Sequence, residues 1–167
     1  MNKLKDRKDL KNQIDTLRAQ GKKIAFTNGC FDILHVGHVR YLNEARKTAD
    51  VLVLALNTDA SVRAIKGEKR PVVSERERAE VLAALECVDY LTLFDEPTPL
   101  NLIRLLKPDV LIKGGDWPEE KVVGRDDVLS WGGRVVLIDE VAGKSTTNIV
   151  DKILNLYAQD LHEQNKP

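Results

Sequence analysis

The chain has 167 residues, 26 Lys plus Arg against 26 Asp plus Glu, and a hydrophobic share of 43%. That length supports one domain with a full core, and the balance of apolar and charged residues argues against a disordered or membrane-embedded chain. Zero net charge excludes a global field that draws the protein to nucleic acid or anionic lipid, so any bound anion must be held by a local site.

The N-terminal stretch MNKLKDRKDLKNQ has no apolar signal-peptide core, and no apolar run approaches ~18 residues. Neither a signal peptide nor a membrane span is expected, and the protein is read as cytoplasmic. Residues 1–21 read as an N-terminal helical extension with Leu10, Ile14 and Leu17 on its apolar side, followed by one domain over 22–167. KKIAFTN (22–28) is a short β-rich run that stops at Gly29. Val39, Leu42 and Ala45 mark one face of a helix from His38 to Thr48. VLVLALN (51–57) is continuously apolar, as a central strand covered on both faces should be. ASVRAIKG (60–67) is a short helix or turn.

Ser74 and Glu77 form a capping box that opens a helix running to Leu85. VDYLTLF (88–94) is the third strand. Pro99 starts the next helix, with Leu102, Leu105 and Leu106 inward, and Pro108 ends it. DVLIKGG (109–115) is the fourth strand, and EEKVVGRDDVLSW (119–131) reads as a helix with a glycine interruption. RVVLIDE (134–140) is the fifth strand, and TTNIVDKILNLYAQ (146–159) the last helix. Strands alternating with helices predict an α/β fold: a single doubly wound, five-stranded parallel sheet with helices on both faces, Rossmann-like. Ligands in such sheets bind beyond the carboxyl ends of the strands, where strand order reverses. The glycine-containing loops after the first, fourth and fifth strands should therefore share one edge.

The first of these loops, TNGCFDILHVGH (27–38), holds two of the chain's three histidines. Histidines three apart can share a metal on one helical face, but no Glu or third histidine follows at a metalloprotease spacing. Phosphate binding is the favoured reading. Gly37 lets backbone approach a ligand, His38 lies at a helix N-terminus that attracts anions, and two imidazole donors stabilise charge during phosphoryl transfer. Cys30 in the same loop is a possible nucleophile or, as favoured here, a small apolar filler. With Cys87 far away, no zinc cage or disulfide framework is expected.

GKS at 143–145 is not a P-loop, because Ile138 stands where its first glycine is needed. The dinucleotide G-x-G-x-x-G is missing after the first strand as well. Ser145, Thr146 and Thr147 remain as hydroxyls at a helix start, where a cap and a phosphate site can coincide. The basic residues Lys66, Lys69, Arg70, Arg76 and Arg78 are candidates for reaching a phosphate, and sequence does not choose among them.

The H-x-G-H turn after a first strand, joined to a late S-T-T before a helix, resembles the cytidylyltransferase-like nucleotidyltransferases over about residues 22–155. Within them TNGCFDILHVGHVRYLNEAR, LNTDASVRAIKGEKRPV, DEPTPLNLI, VLIKGGDW and STTNIV are similar to the adenylyltransferases of bacterial ADP-heptose synthesis, and the stand-alone form, rather than a fusion behind a sugar kinase, is expected. The resemblance implies that D-glycero-β-D-manno-heptose 1-phosphate attacks the α-phosphorus of ATP, giving ADP-heptose and pyrophosphate for lipopolysaccharide core synthesis, with Mg²⁺ bound to the nucleotide.

It also implies roles for individual residues. His35, His38 and Arg78 would be catalytic. Asn28, Gly29, Phe31, Gly37, Gly114, Gly115, Asp116, Ser145, Thr146 and Thr147 would bind nucleotide, together with the two histidines. Asp32, Asn57, Lys66, Arg70 and Arg78 would serve the sugar phosphate, and a homodimer is expected. Glu140 replaces the arginine of the glycerol-phosphate branch, with Lys144 as a compensating cation. A cytidylyltransferase for glycerol 3-phosphate or another small phosphorylated alcohol is the alternative within the class, and a non-catalytic nucleotide-binding module the alternative outside it.

Overall fold

The structure, a computed structural model, describes residues 3–115, 118–139 and 141–164, with residues 159–164 described through their backbone alone. Chain order runs α1 (Arg7–Ala19), β1 (Ile24–Gly29), α2 (Val36–Arg46), β2 (Val51–Asn57), α3 (Asp59–Lys66), α4 (Glu75–Ala84), β3 (Tyr90–Phe94), α5 (Leu100–Leu106), β4 (Val110–Gly114), α6 (Arg125–Ser130), β5 (Arg134–Ile138) and α7 (Thr146–Gln164). The five strands are parallel in the order β3-β2-β1-β4-β5. The doubly wound sheet expected from the sequence is the one that forms.

Side chains alternate between the two faces along each strand. Ile24 and Phe26 of β1, with Val51, Val53 and Ala55 of β2, join a core completed by α1, α5 and α6. Ala25, Leu52, Leu54 and Leu56 join the opposite core with Leu42 and Ala45 of α2 and Ala79 and Leu82 of α4. Every β2 residue is buried, which explains its unbroken apolar run. Leu10 and Ile14 of α1 are fully buried in the first core.

Two boundaries differ from the sequence reading. The helix expected over 119–131 divides into a 3-10 turn at Glu119–Lys121 and α6. Gly124 between them has φ 87, and a Cβ there would lie 2.8 Å from Ile103 Cδ1. The second helix starts at Val36 rather than His38, with His35 as its N-cap, so both histidines stand at its first turn. The capping box of Ser74 and Glu77 forms as expected.

Strand order reverses between β1 and β4, since β2 and β3 lie to one side of β1 and β4 and β5 to the other. That places a crevice at the carboxyl ends of β1 and β4. Among the described residues, no helix is long and apolar enough to cross a membrane.

Candidate active site

A cavity of about 680 Å³ opens at this edge of the sheet. Its walls come from the ends of β1 (Asn28, Gly29), β2 (Asn57), β3 (Phe94) and β4 (Lys113, Gly114) and from the starts of α2 and α7. The three glycine-containing loops thus converge as strand polarity requires.

The first loop is shaped by its aromatic rings. Phe31 adopts a left-handed φ of 44, and a Cβ on Gly29 would come within 2.7 Å of its ring. The Phe31 and His38 rings lie 5.0 Å apart at 59°. His35 and His38 stack with centroids 3.8 Å apart and planes 21° apart. A Cβ on Gly37 would sit 2.9 Å from the His35 ring. Gly29 and Gly37 therefore make room for Phe31 and His35, a requirement beyond the backbone approach read from sequence.

His35 caps α2 without a side-chain hydrogen bond to its first turn, so the amides of that turn keep their capacity for an anion. Burial first, and the neighbouring His35 second, lower the His38 imidazole to about 4. It is neutral near pH 7, with one N–H donor, and its buried Nδ1 has no hydrogen-bond partner among the described residues.

The second helix start lies opposite. Ser145 Oγ accepts from the Asn148 amide at 3.0 Å, and the Thr146 hydroxyl donates to Ile33 O at 3.4 Å. The latter bond ties α7 to the first loop. Ser145, Thr146 and Thr147 all line the cavity while Ser145 also caps the helix, so cap and lining coincide. Lys144 lines it too, with its Cβ 3.4 Å from where a Gly37 side chain would begin.

Lys66, Arg70, Lys113 and Lys144 face this space, against the single described carboxylate of Asp32. Asp32 is already committed. It accepts from Arg70 Nη1 at 2.9 Å and from the Val72 and Val73 amides at 2.8 and 3.0 Å, so it holds the 70–73 segment over the first loop. Asn57 is buried, and its amide donates to Ser61 Oγ at 2.9 Å.

Arg78 stands elsewhere. Its side chain is 0% exposed and does not line the cavity. It donates to Val73 O, Cys30 O, Asn57 O and Asp59 Oδ1 at 2.9, 2.6, 3.0 and 2.7 Å. The guanidinium binds the first loop, the end of β2, the start of α3 and the 70–73 segment from behind, with all but one of its N–H donors committed to them. Lys69 is exposed and away from the cavity, whereas Lys66 and Arg70 reach it. Gly115 lies against β5, where a Cβ would meet Asp139 Oδ1 at 2.7 Å. Asp116 and Glu140 fall outside the described residues.

Lys113 was missed from sequence. Its ammonium donates to Asn28 Oδ1 at 2.5 Å, joining the ends of β4 and β1. A lysine closing an otherwise apolar strand, VLIK, was the available signal. Tyr41, three residues beyond His38, lines the cavity and shares a hydrogen bond with Thr27 Oγ1 at 2.7 Å. The side near β3 is less polar, with Val62, Ile65, Phe94, Pro97, Thr98 and Pro99. Burial raises the Cys30 thiol above its ordinary range, which keeps it protonated and fits the filler reading. Among the described residues no three His, Cys, Asp or Glu side chains group as a metal cage.

Comparison with known proteins agrees with this geometry. The sequence profile of a family described as cytidylyltransferase-like matches residues 26–151. The bifunctional protein HldE of Geobacter metallireducens is 60% identical over 158 residues, covering 95% of this chain and 32% of the relative. The protein of the same name from Syntrophotalea carbinolica is 57% identical over 157 residues, covering 94% and 32%. The chain thus spans about a third of the length of these relatives.

Among solved structures, a lipopolysaccharide core biosynthesis protein from Thermoplasma volcanium superposes with a TM-score of 0.61 at 28% identity, covering 72% of this chain and 98% of that one. Pantoate-β-alanine ligase from Francisella tularensis gives a TM-score of 0.58 at 15% identity, covering 91% and 78%, and shares the fold.

Proposed function

The chain belongs to the cytidylyltransferase-like family, and from that premise we propose that it transfers AMP from ATP to D-glycero-β-D-manno-heptose 1-phosphate. One observation carries the reading: a stacked histidine pair at the start of α2, with His38 neutral, beside a cavity whose described charges are almost all cationic. Such a site suits a polyanion and charge that grows during reaction.

An ionised phosphate oxygen of the sugar phosphate attacks the α-phosphorus of ATP. The bond from that phosphorus to the β-phosphate bridging oxygen breaks, and pyrophosphate leaves with the electron pair. The attacking group is already an anion, so no general base is needed. The first-turn amides of α2 with His35 and His38 take the α-phosphate and its transition-state charge, while Ser145, Thr146 and Thr147 take the β- and γ-phosphates. Phe31 and Gly114, which line the cavity, border base and ribose. Lys66 and Arg70 meet the sugar phosphate on the β3 side, with Asp32, Asn57 and Arg78 holding loops in place behind them. Mg²⁺ bound with the triphosphate would offset its charge and polarise the phosphates.

Names among similar proteins support the sugar, since one solved relative is called a lipopolysaccharide core biosynthesis protein. The proposal extends to a cytoplasmic homodimer, for which Ile153, Leu154, Leu156 and Tyr157 of α7 offer exposed apolar surface. Pyrophosphate release measured with ATP or CTP against heptose 1-phosphate and glycerol 3-phosphate tests the activity. Release with ATP and heptose 1-phosphate is expected. No release with any pair removes the enzyme reading, and release with CTP alone moves the chain to the cytidylyl branch.

A further inference from the structure

We propose that the N-terminal helix α1 is a splint that sets the acceptor wall of the cavity, with Arg7 as its positioning residue. The inference rests on reading the β3 side as the acceptor side. Arg7 Nη1 and Nη2 donate to Glu96 Oε1 and Oε2, both at 2.6 Å, with Asp95 Oδ1 3.8 Å from Nη2. A two-pronged bond of this kind fixes direction as well as distance. Glu96 directly precedes Pro97, Thr98 and Pro99, which line the cavity beside Phe94.

The other end of the same segment is held by the same helix. Arg18 Nη2 donates to Leu106 O at 2.9 Å and Lys107 O at 2.8 Å, the carbonyls of the last residue of α5 and of its C-cap. Eleven positions at about 100° each return Arg18 to the face of Arg7, with Leu10 and Ile14 buried between them. Ahead of α1, the backbone runs beside β3: Lys5 N donates to Leu91 O and Leu91 N to Lys3 O, both at 2.9 Å. The N-terminal segment therefore grips strand β3, the loop after it and the end of α5.

The loop needs an external grip. Pro97 and Pro99 have no N–H to donate, and Asp95, Pro97 and Thr98 are exposed, so the loop holds little structure of its own. The family profile begins at residue 26, which leaves α1 outside the part that the family shares. A wall displaced by about 1 Å misplaces the nucleophile relative to the reacting phosphorus.

Steady-state kinetics of Arg7→Ala, Arg7→Lys and the exchanged pair Arg7→Glu with Glu96→Arg test this, alongside amide hydrogen exchange of the 95–99 loop. Arg7→Ala is expected to raise KM for heptose 1-phosphate about tenfold and leave KM for ATP within about twofold. Arg7→Lys keeps the charge without the fork and should fall between, and the exchanged pair should recover part of the loss. Exchange at the Glu96 and Thr98 amides should accelerate in Arg7→Ala, a readout that needs no substrate. An active wild type whose Arg7→Ala variant keeps its acceptor KM, or loses ATP affinity instead, overturns the acceptor role. Unchanged exchange overturns the splint. A wild type inactive with every pair overturns the sugar reading and the acceptor role with it, while exchange still decides the tether.

Discussion

His35 and His38 stack with ring centroids 3.8 Å apart, and that contact adds to burial in keeping His38 uncharged. Burial first, and the neighbouring His35 imidazole second, disfavour the charged ring, so His38 is held at about 4. In the proposed reaction His38 meets the nucleotide as a neutral donor, and the anion supplies the field that later favours its protonation.

The histidine titration follows from this. In the ligand-free protein the His38 ring signals should titrate near 4 by NMR and move upward when ATP binds, because a nearby anion favours the charged ring. The unfolded chain takes up this proton near 6.5, while the fold refuses it until about 4. His38 therefore contributes a loss of stability as pH falls from about 6.5 to 4. Urea unfolding of His38→Gln should lack that part of the acid slope, and an unchanged slope would contradict the assignment.

Gly37→Ala places a methyl group 2.9 Å from the His35 ring in the present geometry. The ring must shift, so turnover should fall at least about tenfold while far-UV circular dichroism stays as in the wild type. Gly21→Ala is not an equivalent control, because Gly21 has φ 79 and would be strained for a different reason.

Arg78→Met should destabilise the protein by roughly 3 kcal/mol, because the carbonyls of Val73, Cys30 and Asn57 and the Asp59 carboxylate lose their donor together. Chemical denaturation gives the number. Normal stability combined with a lost acceptor KM would show that Arg78 meets substrate directly rather than holding loops behind it.

Lys113→Met removes a cavity cation that also donates to Asn28. Calorimetry should show ATP binding weakened by about tenfold. Unchanged affinity would leave Lys113 with only its bridge between β1 and β4.

The parts of this protein that were legible in its sequence are those whose signal is local. VLVLALN announces a strand covered on both faces, and Ser74 with Glu77 announces a cap, because a few neighbouring residues decide each outcome. HVGH and STT are likewise contiguous, so their helix-start positions could be anticipated. Arg78 could not be understood that way. Its acceptors lie at 30, 57, 59 and 73, and a buried arginine looks like a surface one until these segments meet. The Arg7–Glu96 pair spans 89 positions, so α1 read simply as an extension. Gly124 was visible as an interruption, but Ile103, whose side chain it must clear, lies in another helix.

The most direct measurement of the central claim is rapid-quench turnover of ATP and heptose 1-phosphate by wild type and His38→Ala, with ATP affinity measured separately. The wild type should form pyrophosphate, and His38→Ala should lose about 100-fold or more in kcat with a much smaller change in ATP affinity. A variant that loses ATP affinity but keeps kcat would make His38 a ground-state binder and contradict the transition-state role assigned to the histidine pair.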